Sequence, residues 1–319
     1  MIWITGSSGM LALELQEQLK QMHIPYVTSA KDVDITNYNT LEKFAIETER
    51  SSYLSSHNTA DRLRYGKIQW IVNCAAYTDV DKAENDEDNA YNVNCLGAKN
   101  LSILARTLGA KLIHISTNFV FDGKSDKAYK ESDKKNPCNV YGKTKLEGEN
   151  AIAQSMTQYY IIRSSWLYGF YGTNFVSSMI KLMNEDSSLQ VISDQESSPT
   201  SCSDLSRFII SLIEKSENAK SLVGKNSIPP HGIYHYANSG KTSLYEFALA
   251  IYHYGKKHGK ISNECKIEPC SARDYATDAL RPDFAVLDCT KSERTLKIKI
   301  PTWKASLEFF IKNLNEVPL

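Results

Sequence analysis

The first half of the chain alternates short apolar runs with stretches in which apolar residues recur at helical spacing. Apolar and β-branched runs predict strands over 1–5, 25–27, 68–73, 111–116 and 159–163. Helical periodicity predicts helices that begin at residue 10 and that cover 41–49, 79–108 with a break near Asp86, and 141–153. This alternation predicts a Rossmann-type α/β fold, a doubly wound parallel sheet with right-handed crossovers.

The second half of the chain is less regular. Its pattern predicts helices over 174–183, 203–215, 243–254 and 303–314, and a strand over 189–193. The stretch PPHGIYHYA also reads as a strand. We therefore expect a dinucleotide-binding domain over 1–165 and a smaller α/β substrate-binding domain over 166–319, with some segments of the second half returning to the main sheet.

One polar segment, 49–67, has no clear period and lies where a short connection normally suffices. We interpret its centre, 50–66, as a surface insertion before the third strand, at the edge of the sheet opposite the active site. The alternative is a partner-binding element, because long loops are sometimes functional.

Composition narrows the class of protein. The chain has 319 residues, 42% of them hydrophobic and 23% charged, as in an ordinary soluble protein. Its 37 basic and 37 acidic residues cancel, so no net positive field attracts nucleic acid or an anionic membrane. No apolar run is long enough to span a bilayer, and the amino terminus lacks the pattern of a signal peptide. We expect a cytoplasmic protein.

The cysteines and histidines predict neither disulfides nor a metal site. Seven cysteines without repeated spacing suit reduced thiols better than a disulfide framework. Two pairs have close spacing, Cys265 with Cys270 and His231 with His235. The histidine pair falls in a predicted strand, where this spacing lacks the geometry that it has on a helix.

A glycine turn predicts the cofactor site. Gly6-x-x-Gly9-x-x-Ala12 lies between the first predicted strand and helix. Glycines there let the turn close and let a pyrophosphate approach the amides at the helix N-terminus. The context, more than the pattern, indicates a dinucleotide; a simple glycine turn is the alternative.

The end of the second strand bears on the choice of cofactor. Thr28-Ser29-Ala30-Lys31 carries no carboxylate for a ribose 2′-hydroxyl, so a 2′-phosphate would not be repelled. Lys31 could meet that phosphate, although exposed lysines are often only solvated. We expect NADPH, with NADH as the alternative.

The reactive groups are predicted at two other places. Tyr141 and Lys145 lie four apart at the start of a predicted helix, so that phenol and ammonium share one face. A nearby ammonium favours the phenolate and brings the pKa of the tyrosine closer to the working range. Ser116-Thr117 end the fourth strand at the carboxyl edge of the sheet, where a hydroxyl can polarise a carbonyl. Each feature alone has a structural explanation, as a packed ring or a turn cap, but their order and placement together are specific.

At these residues the chain resembles the short-chain dehydrogenase/reductase superfamily, and more narrowly the dTDP-4-dehydrorhamnose reductase family. The resemblance is nearly full length. It is carried by ITGSSGMLALEL (4–15), VDIT (33–36), VNCAAYTDVDKAE (72–84), VNCLGAKNL (93–101), HISTNFVFDG (114–123), NPCNVYGKTKLEGE (136–149), IIRSSWLYG (161–169), SDQESSPTS (193–201), GIYHYANSGKTSLYEFA (232–248) and RPDFAVLD (281–288).

The resemblance implies that Thr117, Tyr141 and Lys145 form a catalytic triad and that Trp166 contacts the substrate. Hydride would pass to C4 of a keto-sugar while Tyr141 donates a proton, Thr117 holds the oxygen, and Lys145 binds the nicotinamide ribose. The predicted cofactor site as a whole comprises Gly6, Gly9, Met10, Leu11, Ser29, Lys31, Asp34, Ile35, Ala75, Ala76, Tyr77, Thr78, Ile115, Tyr141 and Lys145.

The chain departs from the family pattern after the catalytic threonine. The family usually carries an aspartate and then an aromatic residue there, and this chain has Asn118-Phe119. A neutral amide can still accept a hydrogen bond from a sugar hydroxyl. We therefore expect Asn118 to contact the substrate, and we expect Asn118→Asp to preserve activity.

Two other functions found among similar proteins are alternatives to the reduction. A sugar-nucleotide dehydratase would carry Asp-Glu after the threonine, and Asn118-Phe119 cannot perform that acid–base chemistry. A regulatory subunit like that of methionine adenosyltransferase would keep the fold and the cofactor site without catalysis. The exact keto-sugar, a Mg²⁺ requirement and a homodimer are left open by the sequence.

Overall fold

The computed structural model describes residues 1–55, 66–218, 228–275 and 277–314. The strands, in chain order, are β1 (Ile2–Thr5), β2 (Tyr26–Ser29), β3 (Trp70–Asn73), β4 (Lys111–Thr117), β5 (Tyr159–Ser164), β6 (Leu167–Tyr168), β7 (Ser188–Ile192), β8 (Glu196–Ser197), β9 (Thr200–Ser201), β10 (Gly232–His235), β11 (Thr242–Ser243) and β12 (Lys266–Cys270).

The α-helices, in chain order, are α1 (Met10–Gln21), α2 (Tyr38–Ser55), α3 (Val80–Asn85), α4 (Glu87–Tyr91), α5 (Ala98–Leu108), α6 (Val140–Ser155), α7 (Phe175–Glu185), α8 (Cys202–Asn218), α9 (Leu244–Lys257), α10 (Thr290–Leu296) and α11 (Trp303–Lys312). A π-helical segment, Asn92–Gly97, leads into α5. Short 3₁₀ turns cover Asn118–Val120 and Ala272–Asp274. None of the described helices is long and apolar enough to cross a membrane.

Six strands form a parallel central sheet in the order β10-β5-β4-β3-β1-β2. Side chains alternate between its two faces along each strand. Ile2 and Ile4 of β1 belong to the core under α1 and α8, whereas Trp3 belongs to the core on the opposite face, under α2 and α5. Because β2 and β3 lie on opposite sides of β1, the strand order reverses there, and ligands of such sheets bind outside the carboxyl ends at this point.

The second half builds a smaller unit of short strand pairs and helices. β12 pairs with β7 and β6 with β9 in parallel, and β11 pairs antiparallel with β8. Helices α7, α9 and α11 contribute to a separate apolar core that includes Tyr168, Phe247, Trp303 and Phe310.

The doubly wound parallel sheet predicted from the sequence is confirmed. Two elements of the second half join this sheet: β10 pairs with β5, and α8 packs on the face that α1 covers. The division into domains at 165 stays a prediction.

The predicted insertion is only partly described. Helix α2 continues to Ser55, so 50–55 are helical and the expected end of this helix at 49 was wrong. The centre of the insertion, 56–65, lies outside the described residues. The described residues resume at Gly66. The carbonyl oxygen of Lys67 accepts a hydrogen bond from the amino group of Met1 at 3.2 Å, at the edge of the sheet where the strands begin.

Candidate active site

The turn after β1 packs closely against the segment that follows β3. Gly6 has a φ of +66°, and a β-carbon there would lie 2.6 Å from Cα of Ala75, so only glycine fits between the ends of β1 and β3. Gly9 occupies the cap position of α1, and no side chain caps this helix. Its first amides therefore remain available to an anion.

These features fit the pyrophosphate of a dinucleotide. Leu11 is buried at 6% exposure in the core below the turn, and Met10 is half-buried. Their backbone amides, more than their side chains, are thus placed to serve the predicted cofactor contact.

The end of β2 differs from the sequence-based expectation. The hydroxyl of Ser29 is buried and accepts a hydrogen bond from Nε1 of Trp3 at 2.9 Å. Lys31 is exposed, as expected. The next residue, Asp32, supplies a carboxylate whose Oδ1 accepts from the amide of Ala30 at 2.8 Å. The sequence-based prediction considered only 28–31 and therefore missed this carboxylate. Asp32 affects the choice between NADPH and NADH.

The VDIT segment, 33–36, is fixed by a hydrogen bond of its own and by contacts with the π-helical segment and α5. Oδ1 of Asp34 accepts from the amide of Thr36 at 2.9 Å, and Ile35 is buried against Gly97. Nδ2 of Asn100 donates to the carbonyl oxygen of Ile35 at 3.1 Å. This segment is therefore preorganised beside the π-helical segment.

The segment after β3, which includes Ala75, Ala76, Tyr77 and Thr78, is anchored by a residue that the sequence did not single out. Oδ1 of Asn94 accepts from the amide of Tyr77 at 2.9 Å, and its Nδ2 donates to the carbonyl oxygen of Tyr77 at 3.1 Å and to Oγ1 of Thr144 at 3.1 Å. Asn94 lies in the π-helical segment, a local geometry that is frequent at functional sites. Residue periodicity did not reveal it.

Thr117 and Tyr141 meet where α6 packs against the end of β4. The amide of Gly142 donates to Oδ1 of the capping residue Asn139 at 2.7 Å, and a β-carbon at Gly142 would overlap the carbonyl oxygen of Phe119. This close approach places Tyr141 near Thr117, whose hydroxyl lowers the pKa of the phenol. Oγ1 of Thr117 also accepts from the amide of Phe119 at 3.1 Å, so the residue is both a turn cap and part of the site.

The electrostatics of the tyrosine differ from the expectation. Burial raises the pKa of Tyr141, and the nearby hydroxyl of Thr117 lowers it. Lys145 is not among the groups that shift this pKa. Instead, its Nζ donates to the carbonyl oxygen of Ile115 at 2.6 Å and lies 3.3 Å from Nε2 of His114. The expected direct effect of the ammonium on the phenol was therefore wrong, because Lys145 is directed toward β4.

The end of β4 is supported from below by a buried ion pair. Arg163 donates to both carboxylate oxygens of Glu149, from Nε at 2.9 Å and from a terminal nitrogen at 2.6 Å. Oγ of Ser116 donates to the same carboxylate at 2.6 Å. Since all three side chains are buried, the pair holds β4, β5 and α6 together beneath Thr117.

The two predicted substrate contacts have different surroundings. Nδ2 of Asn118 donates to the carbonyl oxygen of Ala285 at 2.8 Å and to Oγ of Ser197 at 3.1 Å, and the residue is 1% exposed. Its amide hydrogens therefore bind protein. Trp166 is half-buried with a φ of +44°, a left-handed conformation that costs a bulky residue on the order of 1–3 kcal/mol and that clusters at functional sites.

Neither candidate metal pair forms a site. Among the described residues no group of three potential ligands could hold a metal ion. His235 donates from Nδ1 to the carbonyl oxygen of Tyr129 at 3.0 Å and accepts from Arg163 at 3.3 Å, whereas the ring of His231 packs against Tyr160. The seven cysteines are free thiols.

Fold and site together define an oxidoreductase of the Rossmann type. Residues 1–316 match the family described as RmlD substrate binding domain. The chain is 35% identical over 304 residues to a dTDP-4-dehydrorhamnose reductase of Sinorhizobium fredii, which covers 95% of this chain and 94% of that one. It therefore belongs to the dTDP-4-dehydrorhamnose reductase family.

Solved structures agree with this assignment. A dTDP-4-dehydrorhamnose reductase of Clostridium acetobutylicum superposes with a TM-score of 0.84 at 35% identity, over 98% of this chain and 99% of that one. The enzyme of Bacillus anthracis, solved in complex with NADP, superposes with a TM-score of 0.82 at 33% identity, over 97% of each chain.

Proposed function

We propose that the protein reduces the C4 ketone of dTDP-4-dehydro-L-rhamnose to dTDP-L-rhamnose, with NADPH as the reductant. The observation that carries the proposal is that Thr117 and Tyr141 lie near each other, where α6 packs against the carboxyl end of β4, in a sheet whose first turn suits a pyrophosphate. Family membership supports the substrate class, because the relatives reported above are named for this reduction.

Each residue of the group has a distinct role in the proposal. NADPH, when bound, supplies the hydride to C4. The phenol of Tyr141 donates its proton to the carbonyl oxygen, and the hydroxyl of Thr117 holds that oxygen. Lys145 binds the nicotinamide ribose. The flat face of Trp166 contacts the deoxysugar or the base, and the strained backbone of this residue supports such a role.

The decisive experiment removes the proton donor. We expect Tyr141→Phe to lower kcat by about 100- to 10,000-fold, the contribution of a general acid, while NADPH still binds. Steady-state turnover of the dTDP-keto-sugar and fluorescence titration with NADPH measure the two effects. Tyr252→Phe is the matched control, since this hydroxyl contacts Glu264 at the surface of the smaller unit. Tyr141→Phe activity within about threefold of the unmodified protein would contradict the role.

The same assay separates the alternatives. Turnover of a different dTDP-4-keto-6-deoxyhexose with NADPH would keep the mechanism and change the substrate. NADPH binding without turnover of any such sugar would favour the regulatory-subunit alternative.

Cofactor preference depends on two adjacent charges. Lys31 would attract a 2′-phosphate and Asp32 would repel it, so we expect Lys31→Ala to raise KM for NADPH by about 3- to 10-fold with little change for NADH. We expect Asp32→Asn to lower KM for NADPH and to raise KM for NADH, because the carboxylate no longer accepts a hydrogen bond from the ribose 2′-hydroxyl. Kinetics with both cofactors provide the measurement, and Lys43→Ala, an exposed lysine of α2, is the control. If neither change alters the ratio of the two KM values, these charges do not face the ribose.

A further inference from the structure

A chain of buried polar side chains runs beneath the reactive group. Oγ1 of Thr5 donates to Oδ1 of Asn73 at 2.8 Å, Nδ2 of Asn73 lies 2.9 Å from Nδ1 of His114, and Nε2 of His114 lies 3.3 Å from Nζ of Lys145. None of the four residues is more than 1% exposed. Polar groups this deeply buried need partners that match their donors and acceptors.

The backbone determines the direction of these hydrogen bonds. The amide of Ala75 is an obligatory donor, and it lies 3.0 Å from Oδ1 of Asn73. The oxygen of Asn73 must therefore face Ala75 and Thr5, and its NH₂ group must face His114. Nδ1 of His114 then accepts, which requires a neutral imidazole with its hydrogen on Nε2.

That hydrogen points at the lysine. As an ammonium, Lys145 would place an N–H group against the Nε2–H of His114. As an amine, Nζ keeps a lone pair that accepts from Nε2–H, and it still donates to the carbonyl oxygen of Ile115 at 2.6 Å. Only the amine satisfies both contacts.

We propose that His114, held by Asn73 as the Nε2–H tautomer, is a positioning residue that stabilises the uncharged form of Lys145. In this equilibrium the ammonium gives one proton to water, and its nitrogen lone pair then accepts the hydrogen bond from His114. The inference deepens the proposed function, since it concerns a lysine that the reduction uses.

Other charged groups near the lysine oppose this effect without cancelling it. Glu149 and Cys74 favour the ammonium, but both oxygens of Glu149 already accept from Arg163. Tyr141 lies one helical turn earlier on α6, and it is not among the groups that shift the pKa of Lys145. Burial lowers the pKa of Lys145 to about 8 and, together with Lys145, holds the pKa of His114 well below its usual range.

The first test reads the tautomer directly and needs no substrate. In the ¹⁵N-histidine NMR spectrum of the unmodified protein, the signals that disappear in His114→Phe belong to His114. We expect a neutral ring protonated on Nε2 from about pH 5.5 to about pH 9. An Nδ1–H tautomer, or titration within this range, overturns the inference. Because this readout is independent of turnover, failure of the proposed reduction is distinguishable from failure of the inference.

The second test reverses the tautomer. In Asn73→Asp the carboxylate accepts from Nδ1–H, so that a lone pair on Nε2 faces Lys145 and favours the ammonium. We expect the titration of Lys145, followed by ¹³Cε NMR and assigned with Lys145→Met, to move up by about one pH unit or more. The alkaline limb of kcat should follow it.

The added charge of the aspartate needs its own control. Asn73→Asp in a His114→Phe background keeps the charge and removes the imidazole, so the upward shift should be clearly smaller there. Equal shifts in the two backgrounds overturn the inference. Should Asn73→Asp fail to fold, the tautomer of the unmodified protein decides alone.

Discussion

Asn118 joins the end of β4 to two segments far along the chain. Its NH₂ group donates to Ser197 of β8 and to the carbonyl oxygen of Ala285, residues 79 and 167 positions away. Both partners lie outside the domain that contains Asn118 in the sequence-based division. The amide thus holds the smaller unit against the edge of the sheet where Thr117 lies.

The sequence led us to expect that Asn118→Asp, which introduces the aspartate usual in the family, is tolerated. The contacts of Asn118 reverse this expectation. Asn118→Asp replaces a donor by a carboxylate that faces a carbonyl oxygen, so we expect it to lower the free energy of unfolding by about 1–3 kcal/mol, the cost of a buried group left without its partner. Thermal unfolding measures the change. Asn39→Asp, at an exposed position in the first turn of α2, is the control and should not lower Tm. An unchanged Tm in Asn118→Asp would favour the substrate contact that the sequence predicted.

Residues of the site were predictable where their chemistry is local. Tyr141 and Lys145 are four apart on one helix, and the strand before Thr117 has a clear apolar pattern, so spacing and periodicity alone were enough to predict that they lie near one edge of the sheet. Their roles stay predictions. Asn94 and His114 act through partners that are distant in sequence. No pattern of spacing reveals such partners, because burial and donor geometry arise only when the sheet has formed.

At the scale of elements, the turn between β1 and α1 depends on how closely β3 approaches it. Gly109, which ends α5, has a φ of +68°, nearly the same as the +66° of Gly6, but has no atom within 4 Å of the position of a β-carbon. A comparison of the two glycines therefore separates the cost of the left-handed backbone conformation from the cost of close packing.

We expect Gly109→Ala to cost about 1–2 kcal/mol, the price of a left-handed conformation alone, and to leave NADPH binding unchanged. Gly6→Ala adds the clash with Ala75, so we expect a larger loss of Tm and a loss of NADPH affinity. Thermal unfolding and NADPH titration of both variants provide the comparison. Equal effects would show that the approach of β3 does not shape the cofactor turn.

Long elements with strong periodicity were predicted well, and short ones were not. Helices α6 and α8 begin within two residues of their predicted starts. By contrast β6, β8, β9 and β11 are two residues long, and each exists only through its pairing partner. The extension of α2 to Ser55 was missed because its last turns lack an apolar face in the sequence.

At the scale of the whole molecule, a buried polar network connects both halves. His235 on β10 accepts from Arg163 on β5, which pairs with Glu149 on α6. Burial and the nearby guanidinium lower the pKa of His235 from 6.5 to about 3. The folded protein therefore holds this imidazole neutral over a range in which the unfolded chain takes up a proton.

Stability should fall on acidification. The contribution of His235 is complete above its unfolded pKa and is lost progressively as pH falls toward its folded pKa, by about 2 kcal/mol at pH 5. Tm measured between pH 7 and pH 5 checks this. We expect His235→Gln to flatten the dependence of Tm on pH without abolishing it, because the pKa values of His114 and His231 are lowered as well. His253→Gln, at an exposed position of α9, should keep the slope of the unmodified protein; an identical slope in His235→Gln would contradict the assignment.

The place of β10 in the sheet also sets the order in which a newly made chain can fold. A ribosome that has released only 1–165 presents β5 with an open edge, because its neighbour β10 has not yet been synthesised. The sheet face under α8 is uncovered at the same stage. Open edges and apolar faces promote association between nascent chains. The first half therefore completes its own core only after nearly half of 166–319 has been translated.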